Sequence, residues 1–191
     1  NGKIYLEVKE VRASSSIKWN GDKAGAEWDL SLTENFRNND TADIFVDKDR
    51  VLFNDEAVSK TVNIVSTVTP TSVTVEALSD YLFQGNGKIT GDARLNKRGS
   101  GKLTIRNNND FTGKVLIADG TLEVEQMPTA QNPGALGAPS SDPEQFEING
   151  GSLSITGTGN WSRALFIGEQ GGNVHNPARV GLEGKSGLSQ P

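Results

Sequence analysis

Apolar residues in this chain come in short pairs. Between residues 95 and 124 the pairs are Leu103 and Ile105, Val115 and Ile117, and Leu122 and Val124, with Gly, Asn or Asp between one pair and the next. A spacing of two puts both side chains on one face of an extended strand. Each pair therefore predicts a strand of about four residues, too regular for loop and too short for a wide antiparallel sheet. Strands this short become stable when the chain winds as a solenoid and each coil covers the apolar edge of the one before.

The same rhythm runs along most of the sequence. Val62 and Ile64, Val73 and Val75, Leu82 and Phe83, Ile89 and Leu95 come before those pairs; Phe146 and Ile148, Leu153 and Ile155, Leu165 and Ile167, Val180 and Leu182 come after. The corners carry Gly85, Asn86, Gly87, Gly91, Gly99 and Gly101, residue types that tolerate the left-handed conformation of sharp turns. No segment repeats its apolar residues at helical spacing over three turns. Residues 3–11, KIYLEVKEV, alternate and predict a half-buried strand. Residues 33–43 read as polar loop, and 44–53 as two short strands split by Asp47 to Arg50. Residues 127–143 hold four prolines and predict one long loop with a helical turn near Ala135 and Leu136. The prediction is one all-β domain over 1–191: an edge strand and lead-in at 1–16, an N-terminal capping region at 17–60, and coils at 61–191.

Composition narrows the function. The chain has no Cys, which removes disulfides, thiol nucleophiles and thiolate metal sites. A net charge of −5 argues against nucleic acid as a partner, and the cluster Lys97, Arg98 and Lys102 reads as a solvated edge. Apolar residues never run together over a membrane-spanning length. The chain opens on a strand with no signal peptide and reads as excised from something longer. It has no G-x-S-x-G elbow, no H-E-x-x-H and no phosphate loop, and its one His, His175, reads as ordinary surface.

The stretch GSGKLTIRNNNDFTGKVLIADGTLEV resembles the autotransporter-associated β-strand repeat. The matching positions are Gly99, Gly101, Leu103, Ile105, Asn107 to Asn109, Phe111, Thr112, Gly113 and Gly120 to Leu122. Upstream, Trp19, Gly21, Trp28, Asp49, Val51, Phe53, Val73, Phe83 and Gly85 fit as well, and downstream the tail GALG at 134–137. The resemblance covers roughly residues 17–168. It implies a right-handed parallel β-helix in an exported bacterial protein, secreted or at the cell surface. A unit of this size is also similar to the β-helical carbohydrate-binding module family 89, attached to a gut-bacterial xylanase.

That second likeness implies a non-catalytic module that holds a covalently linked glycoside hydrolase on plant cell-wall polysaccharide, with xylan favoured. Sugar rings stack on aromatic side chains, so Trp161, Tyr81 and Trp28 are the candidate platforms; Asn160, Arg163, Glu169 and Gln170 are candidate hydroxyl ligands. Trp19 and Trp28 also fit a second role, covering the open apolar edge of the first coil. No catalytic residue and no cofactor is expected. Asp47, Asp49 and Asp55 form a weak calcium candidate, because they are oxygen ligands in a dense acidic stretch without the spacing of a calcium loop. The alternative is a structural β-helix segment of a secreted adhesin or autotransporter passenger, or part of a polysaccharide lyase.

Overall fold

The computed structural model describes residues 12–125, 134–138, 140–157 and 163–175. The predicted strand at 3–11, the pair Val180 and Leu182, and most of the first half of the 127–143 loop lie outside these residues.

The chain starts on β1 (Ser16–Trp19) and β2 (Glu27–Trp28), then turns back through β3 (Phe36–Asn38) and β4 (Thr41–Asp43). It winds on through β5 (Arg50–Phe53), β6 (Thr61–Ile64), β7 (Thr67–Val68), β8 (Ser72–Glu76), β9 (Tyr81–Gln84) and β10 (Lys88–Ile89). Next come β11 (Arg94–Arg98), β12 (Lys102–Ile105), β13 (Val115–Ile117) and β14 (Thr121–Val124). The described residues end with β15 (Phe146–Ile148), β16 (Ser152–Ile155), β17 (Phe166–Ile167) and β18 (Asn173–His175). The only helical pieces among them are 3-10 turns at Ala24–Ala26 and Pro143–Gln145.

Hydrogen bonds join strands of successive coils, not neighbours in sequence. One wall runs β17-β15-β13-β11-β8-β5-β1 and the second runs β18-β16-β14-β12-β9-β6-β2; β7 and β10 form a short third side. Among the described residues, apart from the hairpin β3–β4 and its pairing with β1, every strand pairing is parallel. This is a parallel β-solenoid, as the sequence predicts. Val51, Val73, Leu95 and Val115 occupy one inward position in four successive coils, at nearly constant spacing along the chain.

The spacing lengthens twice, once between Ser16 and its partner Arg50 and again between Val115 and its partner Phe146. The first insertion builds the hairpin. Asn39 and Asp40 at its tip both have positive φ, 48° and 65°, the signature of a type I′ turn. The segment predicted as polar loop at 33–43 is therefore mostly this hairpin. Its antiparallel pairing with β1 closes the edge of the first wall. Behind it lies an aromatic plug of Trp19, Trp28, Phe36, Phe45 and Phe53, with Trp28 and Phe45 edge-to-face at 5.4 Å.

The second insertion is less exposed than its prolines suggest. An antiparallel bridge between Gly134 and Gly137 closes a turn, not a helical one, and drops Ala135 and Leu136 into the core. The core itself is a set of ladders, one inward residue per coil: Tyr81, Leu103, Leu122 and Leu153 on the second wall, with Phe83, Ile105, Val124 and Ile155 beside them.

Coils this close leave no room for a side chain at some corners. A Cβ on Gly87 would stand 2.3 Å from the Ser66 carbonyl oxygen, whereas one on Gly171 would meet nothing within 4 Å. Gly87→Ala is expected to cost at least about 3 kcal/mol, because backbone must move. Gly171→Ala, at φ +73°, is expected to cost only the left-handed strain, roughly 1–2 kcal/mol. Urea denaturation of the two variants checks the contrast.

Candidate functional site

The aromatic platforms Trp28 and Tyr81, predicted from sequence, are inside the molecule. Trp28 is fully buried in the plug, and Tyr81 is 1% exposed, its hydroxyl donating to the Asn54 carbonyl at 2.6 Å. Burial raises the Tyr81 phenol well above its ordinary pKa. The reason is register: Tyr81 and Phe83 alternate inward, and Leu82 is the outward residue of β9. Neither ring can stack on a ligand.

Arg163 is likewise 4% exposed. Its guanidinium donates to the Leu136 carbonyl at 2.5 Å, lies over the Phe146 ring at 5.3 Å, and is pulled down to about 10 by burial. It clamps the second insertion onto β15 and is not a surface ligand. Glu169 and Gln170 are exposed in the turn after β17, with the Gln170 amide bound to the Asn149 side chain at 2.9 Å. Trp161 and Asn160 lie outside the described residues. The predicted sugar site is therefore not assembled around Trp28, Tyr81 and Arg163.

The calcium candidates also separate. Asp49 is buried, ion-paired to Arg12 at 2.7 Å, and accepts from the Ser15 and Val46 amides. Asp47 accepts from the Thr69 amide at 2.9 Å. Asp55 accepts from the amides of Leu78 and Ser79 in the next coil. Each carboxylate ties a corner, and no group of three metal-ligating side chains forms among the described residues.

What does converge are the residues of the repeat. Asn107 and Asn109 are buried at the third side. The Asn109 side chain accepts from the Ile89 amide of the coil before at 2.8 Å and from Asn107, and donates to the Ala135 carbonyl of the coil after at 2.8 Å. One amide side chain thus stitches three coils where strand pairing has stopped. Phe111 fills the adjoining corner, and a Cβ on Gly113 would sit 2.2 Å from the Ala93 carbonyl.

Lys97 corrects the solvated-edge reading. It holds an inward position between Val75 and Ile117 and is 1% exposed. Its ammonium donates to the carbonyls of Arg98, Gly99 and Asp119 at 2.9, 2.6 and 3.2 Å. Burial lowers its pKa from the usual lysine value, and three oriented carbonyls satisfy its three donors.

Outside, charge pairs also join successive coils: Lys102 with Glu123, Arg106 with Glu125, Lys88 with Asp110 and Lys114 with Glu147. A concavity with a volume of about 480 Å³ lies on the outer face of the first wall beneath the hairpin tip. The sequence reading missed it; the signal was the Asn39-Asp40 turn, which predicts a hairpin.

Three comparisons bear on this arrangement. Residues 95–124 match the passenger-associated-transport-repeat family. A stretch of 98 residues, half of the chain, is 38% identical to the adhesin BmaC autotransporter of Brucella suis biovar 1 (strain 1330) and spans 3% of that protein's length. No solved structure matches the chain. The match and the relative support the autotransporter-type β-helix. They overturn the expected xylan-binding module, its gut-bacterial xylanase and its covalently linked catalytic domain, because both findings fall on autotransporter passengers.

Asn109→Leu is expected to leave the Ile89 amide and the Ala135 carbonyl unpaired in the interior and to cost about 3 kcal/mol or more. Asn108→Ala, at an exposed neighbour, should stay within about 0.5 kcal/mol, and chemical denaturation separates the two. The Leu78 amide, then Ser79, holds the Asp55 carboxylate below the usual aspartate range. A depressed folded-state pKa stabilises fully above the unfolded value and loses that stabilisation as pH falls through the folded one. Melting temperature against pH below about 4 should therefore fall less steeply in Asp55→Asn than in the unaltered chain.

Proposed function

We propose that this chain is a structural solenoid segment of an exported bacterial adhesin, a rigid piece of stalk that holds other parts of the protein away from the cell. The observation that carries this reading is the fate of the matched repeat. Gly99, Gly101, Leu103, Ile105, Asn107, Asn109, Phe111 and Leu122 all serve coil-on-coil contact, and none is left to offer chemistry to solvent. A motif whose glycines, apolar residues and buried asparagines go into stacking specifies architecture and not reaction. The autotransporter relative agrees, and it gives the chain its location outside the cytoplasm, secreted or on the cell surface, as the sequence predicted. No helix among the described residues is long and apolar enough to cross a membrane.

A stalk should tolerate loss of a whole coil and not of half a coil. Deleting residues 95–114 joins Arg94 to Val115 and keeps every inward ladder in register, since Leu95 and Val115 occupy the same position in successive coils. In the surface-displayed protein that carries this chain, that deletion should leave both display and adhesion unchanged. Deleting 95–104 shifts the ladders and should abolish protease-resistant display. Normal display with lost adhesion after the whole-coil deletion would overturn the structural reading.

A further inference from the structure

The groove on the first wall is formed by the outward side chains of three strands and the hairpin tip, which the coil-on-coil contacts described above do not use. The first insertion folds the hairpin tip, Asn39 and Asp40, over the outward residues of β1, β5 and β8. Leu52 and Thr74 line the floor, with the backbone of Ile17 and Val51 behind them, and the exposed lining is mostly apolar. Lys18, Arg37 and Arg50 stand around it, against the single acid Asp40.

The three cations differ in availability. Arg37 is held by Asp22 at 2.7 Å and Lys18 by Glu56 at 2.9 Å, both in pairs open to solvent. Arg50 is exposed, and its guanidinium has no ion pair or hydrogen bond among the described residues. It lies on the outward side of β5, next to Leu52. Asp22, Glu56 and Asp40 thus stand within ion-pair distance of Arg37 and Lys18, which leaves the Arg50 guanidinium as the charge without such a contact among the described residues, beside the Leu52 floor.

We propose that the groove docks a short acidic segment of another polypeptide, with an apolar side chain seated on Leu52 and flanking carboxylates received by Arg50 and its neighbours. A guanidinium fork takes a carboxylate by two parallel hydrogen bonds. Exposed ion pairs such as those of Arg37 and Lys18 exchange partners at little cost. The apolar floor is what selects a peptide. A heavily hydrated polyanion needs a continuous basic stripe, whereas here the basic residues that continue along the wall, Arg94, Arg98 and Lys114, are interleaved with Glu76 and Glu147, and Glu56 and Asp22 stand at its edges. The proposal goes beyond the stalk reading and does not depend on it.

The test is fluorescence anisotropy of the whole chain with a labelled Gly/Ser peptide carrying Glu-Leu-Glu, beside a Lys-Leu-Lys control and dextran sulfate. Glu-Leu-Glu should bind. Its affinity should fall by about tenfold or more in Arg50→Gln, and again when salt is raised to about 0.5 M. Arg106→Gln, an exposed arginine that follows β12 on the second wall, should leave it unchanged, and circular dichroism should match for all three proteins. Equal binding of Lys-Leu-Lys, no binding at all, or an Arg50→Gln affinity equal to the unaltered one would overturn the proposal. So would tighter binding of dextran sulfate that falls equally in both variants, since that describes a general polyanion surface.

Discussion

Each coil of this molecule rests on the backbone of the coil before it, and at the corners no side chain separates the two. A Cβ at Gly87, Gly113 or Gly120 would stand 2.2 to 2.4 Å from a carbonyl oxygen of the preceding coil. That contact dictates the rest. It holds the length of the plain coils nearly constant, since a longer path would miss the corner below. It forces the inward residues into straight ladders, and it makes Gly, Asn and Asp the residues of the turns. Where backbone cannot reach backbone, a side chain takes over: Asn109 on the third side and the Lys97 ammonium at the corner between the walls.

The two departures from that length are where individuality enters. Both insertions put apolar residues into the core, Phe36 and Phe45 from one and Ala135 and Leu136 from the other. Both are tied down by arginines, Arg12 onto Asp49 and Arg163 onto the Leu136 carbonyl. The plain coils between them present outward faces knitted by charge pairs from one coil to the next. Among the described residues the first insertion shapes the outer wall into a concavity, so that the inward side chains of β1, β5 and β8 serve the regular scaffold and their outward ones the local feature.

The ladders were legible because a spacing of two, broken by turn residues, has few other solutions. Leu103 with Ile105 and Leu122 with Val124 point inward as the pattern demands. The platforms were misread because aromatic identity was weighed over register: Tyr81 shares its alternation with Phe83 and had to face inward. Lys97 was misread for the opposite reason. Its register is inward, but a lysine there is tolerable only because carbonyls from two coils converge on it, a fact that belongs to the fold and not to the local sequence. Arg163 is buried by Leu136, a residue far away along the chain across an insertion. The hairpin was within reach, since Asn39-Asp40 is turn chemistry of a recognisable kind.

The direction of the hydrogen bonds has a mechanical meaning. They run along the solenoid axis, from wall strand to wall strand, so tension applied along that axis loads the coil interfaces in series. A chain of springs in series yields at its weakest link, and these links are unequal. At one end β1 is bracketed by a hairpin and an aromatic plug; at the other β17 is a two-residue strand with Phe166 and Ile167 partly open to solvent. Under a pull along that axis, the short link between β15 and β17 is expected to yield before the links beside the aromatic plug.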